Sequence, residues 1–134
     1  MKKLIFCLVI ALAMMILSCG KKPLIEGVWQ GITPDMEGWH GTVIKMWVDG
    51  YCSYLGEFRK DTAIYNIYGG GPYTLDGTHA LETILYNQNK EAIGTKAKML
   101  YIIKGDTLIQ MYPADDNWNV DTTKCNIDKF VRVK

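Results

Sequence analysis

Three dipeptides, Asp49-Gly50, Asp76-Gly77 and Gly105-Asp106, constrain what this chain of 134 residues can fold into more than any other feature. Each stands between runs rich in β-branched and aromatic residues. Asp-Gly is favoured in two-residue hairpins because both central positions of a type I′ turn need positive φ. Strands are predicted over 24–30, 42–48, 51–58, 62–68, 72–75, 78–86, 95–103, 107–112 and 127–133. Alternation within 42–48 puts Ile44, Met46 and Val48 on one face. Nothing has helical periodicity over a useful length, and successive hairpins leave no room for crossover helices. The expectation is an all-β, antiparallel up-and-down meander that closes into a small barrel of about eight strands, since closure removes exposed edges. The polar stretches 33–40 and 114–126 are the candidate long loops or short helices. Residues 69–72, "GGGP", read as a flexible turn or bulge and not a phosphate cradle, because no helix follows.

Ahead of the meander lies a different kind of segment. Lys2 and Lys3 precede an apolar run, 4–17, that contains no charged residue. It is shorter than the roughly 20 apolar residues a spanning helix needs, and a small residue and charge follow directly. Ile16-Leu17-Ser18-Cys19 resembles the bacterial lipobox, which implies removal of residues 1–18 and lipidation of Cys19. Only a thiolate-forming side chain offers the nucleophile for a thioether to diacylglycerol. Residues 19–23 then form a lipidated tether and 24–134 the barrel domain. Acyl chains at Cys19 supply more than the two signals that stable anchoring requires. The membrane is therefore the first expected partner.

Of 15 basic residues, Lys2 and Lys3 lie in the leader, which leaves 13 against 14 acidic residues and a net charge of −1. The lysines are scattered, so no nucleic-acid partner is expected. Gly20-Lys21-Lys22 follow the anchor where acidic residues would accompany surface export in some diderm bacteria. The expected location is the cell envelope, at an outer membrane and facing the periplasm.

Few residues suggest chemistry. Ser53 is the one serine of the mature chain, and no nucleophile-elbow pattern surrounds it. His40 and His79 lack metal-ligand spacing to a second donor, so no metal is expected. "DDNWNVD" places Asp115, Asn117, Asn119 and Asp121 at alternate positions, but Val120 and Asn126 stand where a calcium loop needs glycine and glutamate. Glu57 and Glu82 are the candidate acid–base pair if both point inward. Neither an enzymatic activity nor a cofactor is expected. Cys52 and Cys125 are a possible disulfide, given an oxidising compartment.

Gly27-Val28-Trp29 carries the Gly-x-Trp signature that resembles the opening of lipocalin-like proteins. In that superfamily the tryptophan closes one barrel end beneath an arginine of the last strand, and Arg132 in "FVRVK" is placed for that role. "WVDGYCSYLGEF", "GGGPYTLDGTHALETI" and "YIIKGDTLIQMYP" are similar to lipocalin-like bacterial lipoproteins of unknown function. The second lipocalin signature, Thr-Asp-Tyr, is absent, and Gly105-Asp106-Thr107 echoes it only loosely. The resemblance implies a lipocalin-like barrel that binds a small, mostly apolar ligand. Ile44, Met46, Tyr65, Glu82 and Tyr86 are the candidate lining, chosen from alternation and side-chain type. The alternative is a barrel filled by its own side chains that docks another envelope protein.

Overall fold

The computed structural model describes residues 23–32 and 38–134. The expected leader, Cys19, the expected tether up to Lys22 and residues 33–37 lie outside them. Nine strands follow in order: β1 (Gly27–Gly31), β2 (His40–Val48), β3 (Tyr51–Lys60), β4 (Ala63–Asp76), β5 (His79–Thr83), β6 (Tyr86–Asn87), β7 (Lys96–Lys104), β8 (Thr107–Tyr112) and β9 (Asn126–Arg132). Every pairing is antiparallel. The spatial order is β3-β2-β1-β9-β8-β7-β5-β4-β6, and β3 also pairs with β4. That last pairing closes eight strands into a barrel and leaves β6 as an addition on β4.

The hairpins form where the turn residues stand. Asp49 (φ 47°) and Gly50 (φ 80°) both take positive φ, as a type I′ turn requires. At the other two turns only the glycine does, Gly77 and Gly105 each at φ 58°. These three turns, the start of β1 and the end of β9 gather at one end of the barrel, here named the tether end after the tether expected before Pro23. The opposite, loop end carries the long connections.

Two expectations need correction. Residues 69–72 are no turn: β4 runs through them as one strand of 14 residues, joining the predicted 62–68 and 72–75. Glycine is needed there because the neighbouring strands press in. A Cβ on Gly69 would overlap the Tyr54 ring, and one on Gly71 would overlap the Thr83 carbonyl oxygen. The predicted strand 78–86 instead breaks into β5 and β6, because Ile84 N–H donates to Thr95 O and Leu85 N–H to Gly70 O, each at 2.9 Å. The stretch 114–126 is, up to the start of β9, a long loop, one of the two forms expected of it. It folds back on the outer wall, where Trp118 stacks on His79 at 4.6 Å and Lys98 Nζ meets Asp116 Oδ1 at 2.6 Å. The short helix among the described residues is instead a 3₁₀ turn, Lys90–Ala92, capped by Asn89.

Core side chains come from the inward rows: Trp29, Trp47, Cys52, Tyr73, Ala80, Met99, Tyr101, Leu108 and Phe130, with Ile25 from the turn before β1. At the tether end this core is stoppered. Trp29 is fully buried and its Nε1 donates to Ile25 O at 2.7 Å. Arg132 Cζ sits 4.1 Å from the Trp29 ring centroid, while its guanidinium donates to Glu26 O (2.7 Å) and Leu24 O (2.6 Å). Gly27 has φ 132°, and a Cβ there would come 2.6 Å from the Arg132 guanidinium. The glycine of the Gly-x-Trp signature thus makes room for the arginine.

Candidate binding site

Register decides which side chains face the barrel interior. Trp29 pairs with Lys45, Trp47 with Cys52, and Lys45 with Tyr54. The inward row of β2 is therefore Val43, Lys45 and Trp47, and the outward row is Ile44, Met46 and Val48. This reverses the predicted face by one residue, the slip that exchanges the two sides of a strand. Hydrophobicity favours the Ile-Met-Val row, but Trp47 is the largest side chain to bury, and Lys45 finds an anion inside.

That anion is Glu82. Lys45 Nζ donates to Glu82 Oε1 at 3.0 Å and to Gln110 Oε1 at 2.9 Å. These are the buried polar residues of the described chain, at 3%, 2% and 5% exposure. They come from β2, β5 and β8, far apart in sequence and joined only across the barrel lumen. The ammonium also lies 4.6 Å from the Trp47 ring centroid and 5.9 Å from that of Tyr54. Trp47 packs edge-on against Tyr73, with centroids 4.6 Å apart. Its Nε1 is buried with no hydrogen-bond partner among the described residues. An orphan donor of this kind carries its full desolvation cost.

The groups around the cluster respond to it. Burial pushes the Cys52 thiol up to about 12, and the Glu82 carboxylate, against which Cys52 donates, pushes the same way. Burial also raises the Tyr54 and Tyr112 phenols, Tyr112 with help from the neighbouring Asp128 carboxylate. Tyr54 Oη accepts from Asn87 Nδ2 at 2.7 Å, so β6 steadies this wall. The result is a lumen with aromatic walls, a neutralised ion pair at its centre and protonated hydroxyl and thiol groups around it.

The five candidate lining residues do not converge. Glu82 is inside. Tyr65 shares the inward row with Phe58 but lies at the loop end, 52% exposed. Ile44 and Met46 face outward, and so does Tyr86, which pairs with Gly70 on an outward row. Glu57 is also outside, bonded to Arg59 Nε at 2.6 Å, so Glu57 and Glu82 make no acid–base pair. Cys52 and Cys125 are both free thiols. Cys52 faces the lumen beside Glu82, whereas Cys125 lines a hollow of about 450 Å³ between Pro113 and Cys125. The carboxylates of that hollow are engaged by their own loop: Asp115 Oδ1 accepts the N–H groups of Asn119 and Asn117, and Asp121 Oδ1 accepts the Thr123 hydroxyl and N–H. These bonds hold both carboxyls below their ordinary range.

Trp47 belongs to the aromatic supply suited to a pocket, with Trp39, Tyr65 and Tyr86, but Lys45, Cys52 and Gln110 carry no local sign of being lumen residues. A lone lysine in a strand reads as exposed, since lysine is almost never buried unless paired, and its partners are 37 and 65 residues away. One signal was available: Trp47 and Trp29 can share an interior only if Lys45 comes with them.

Fold and lumen together define the class: a small, closed, lipocalin-like β-barrel, stoppered at one end and polar at its centre. No protein family, curated protein or solved structure gives a match to this chain.

Proposed function

We propose that this chain is a lipid-anchored, lipocalin-like lipoprotein of the bacterial envelope. Its barrel binds a small, mostly apolar ligand that carries a hydrogen-bonding group. The observation that carries the reading is the buried Lys45–Glu82–Gln110 cluster beside the orphan Trp47 donor. Replacing a buried ion pair by apolar side chains is often neutral or stabilising, so such a pair is weak evidence for a purely structural role. A ligand with an apolar body against the aromatic wall and an acceptor toward Trp47 Nε1 and Lys45 Nζ would use these groups. Entry is from the loop end, past Tyr65 and Phe58, because Trp29 and Arg132 stopper the other. Neither catalysis nor a cofactor belongs to this reading.

Native mass spectrometry of protein purified from its own envelope should detect a retained small molecule. An apolar fluorophore should bind the lipid-free protein and be blocked by Ala97→Phe. Ala97 pairs with Glu82 on β5, so a ring there occupies the lumen. Met46, facing outward, is the negative control: Met46→Trp should leave binding unchanged. A barrel that retains nothing and takes up no fluorophore would refute ligand binding and leave the docking lipoprotein as the better account.

A further inference from the structure

The outward rows that lost the contest for the core make a surface of their own. At the tether end, Leu24 (77% exposed), Met46, Val48, Tyr51 (59%) and Val133 are all exposed. They are contiguous: Val28 pairs with Met46, Val133 N–H donates to Val28 O, and Val48 pairs with Tyr51. Leu24 precedes them on the turn that starts β1. A wall of scattered apolar residues is unremarkable, but a contiguous one at the chain's point of attachment indicates a partner.

The chain itself says which partner. Cys19 stands four residues before Pro23, the first described residue, so a fully extended tether reaches at most about 14 Å. We infer that the Leu24, Met46, Val48, Tyr51 and Val133 face is a lipid-seating surface, on which the anchored barrel rests against its own bilayer. The inference depends on the proposed acylation of Cys19. Tyrosine suits this place because its ring is apolar and its hydroxyl polar, the combination found at membrane interfaces. Charge does not drive the contact. Asp49 tips the nearest hairpin, and Lys134 is engaged by Asp106 at 3.0 Å. Seating by apolar burial should accordingly be insensitive to salt. The orientation turns the loop end, with the entrance to the lumen, away from the membrane.

The test uses the full chain, expressed with its leader and reconstituted into phosphatidylethanolamine–phosphatidylglycerol vesicles. In a Cys125→Ser background, nitroxide labels are placed through Leu24→Cys, Tyr51→Cys or Glu91→Cys, the last at the loop end. Collisions with oxygen should exceed those with a water-soluble nickel chelate several-fold at Leu24 and Tyr51, with the reverse at Glu91. This pattern should persist from low to high salt. Equal, water-like collision rates at all three sites, in protein whose N-terminal peptide carries acyl mass, would overturn the seating and leave the anchor intact. Protection from both reagents at Tyr51 would mean that a protein or a second copy covers the face, and would overturn it as well. An N-terminal peptide without acyl mass would remove the anchor, and the seating with it.

Discussion

Trp29 and Arg132 act as one unit, because the guanidinium that covers the ring also ties down the chain before β1 through Glu26 O and Leu24 O. Trp29→Ala removes a fully buried ring and should cost about 3–5 kcal/mol. Arg132→Ala should cost less, and the double variant less than the sum, with a coupling of about 0.5–2 kcal/mol. Urea denaturation of the four proteins measures this, and strict additivity would deny the contact any energetic role. Cys52 makes a second residue-scale prediction. Its folded value of about 12 exceeds its ordinary 9.0, so the folded state holds the thiol proton more tightly than the unfolded chain. The stability this contributes is complete below about pH 9 and is lost as pH rises toward 12. The drop in urea midpoint from pH 7 to pH 10 should therefore be smaller in Cys52→Ala than in the parent. At neutral pH a thiol reagent should modify Cys125 and spare Cys52 until the protein unfolds.

At the scale of elements, the Lys45–Glu82–Gln110 cluster joins β2, β5 and β8 across the lumen, and its value depends on completeness. Lys45→Met leaves a buried carboxylate unpaired, and Glu82→Leu leaves a buried ammonium with only Gln110. Each should cost about 3–5 kcal/mol. Lys45→Met with Glu82→Leu removes both charges and should be markedly more stable than either single variant. A double variant that loses the sum of the two would mean that the barrel needs the ion pair for folding. β4 is the other decisive element. It pairs with β3 from Ala63 to Pro72 and with β5 and β6 as well, and Gly69 and Gly71 allow these approaches. The same triplet, read locally, signals a turn. A glycine supplies freedom, and only the neighbours say whether it is spent on a bend or on proximity.

Over the whole molecule, the barrel has two unlike ends. The tether end holds the tight turns, the Trp29–Arg132 stopper and the Leu24, Met46, Val48, Tyr51 and Val133 face, while the loop end holds the long connections. If Cys19 carries the anchor, Cys19→Ala should shift the protein from the membrane fraction to the soluble fraction, or stall its processing. A variant that is cut normally and still sediments with membranes would contradict anchoring.

Fold class was legible because its signals are local. A strand's β-branched and aromatic content, and a turn's need for positive φ at Asp49-Gly50, are properties of a few adjacent residues. Without crossover helices, an antiparallel meander is what remains, and Gly27, Trp29 and Arg132 stand at its two chain ends. Facing was not legible. Alternation in β2 offers two rows, Ile44-Met46-Val48 and Val43-Lys45-Trp47, and a strand seen alone prefers the more hydrophobic one. Only closure brings Glu82 and Gln110 to Lys45, and their hydrogen bonds make a buried ammonium affordable where a solitary one would be prohibitive. The sequence alone thus determined the strands and turns, whose energetics are short-range. Tertiary structure alone decided which row is interior, since that depends on partners supplied by strands far away in the chain.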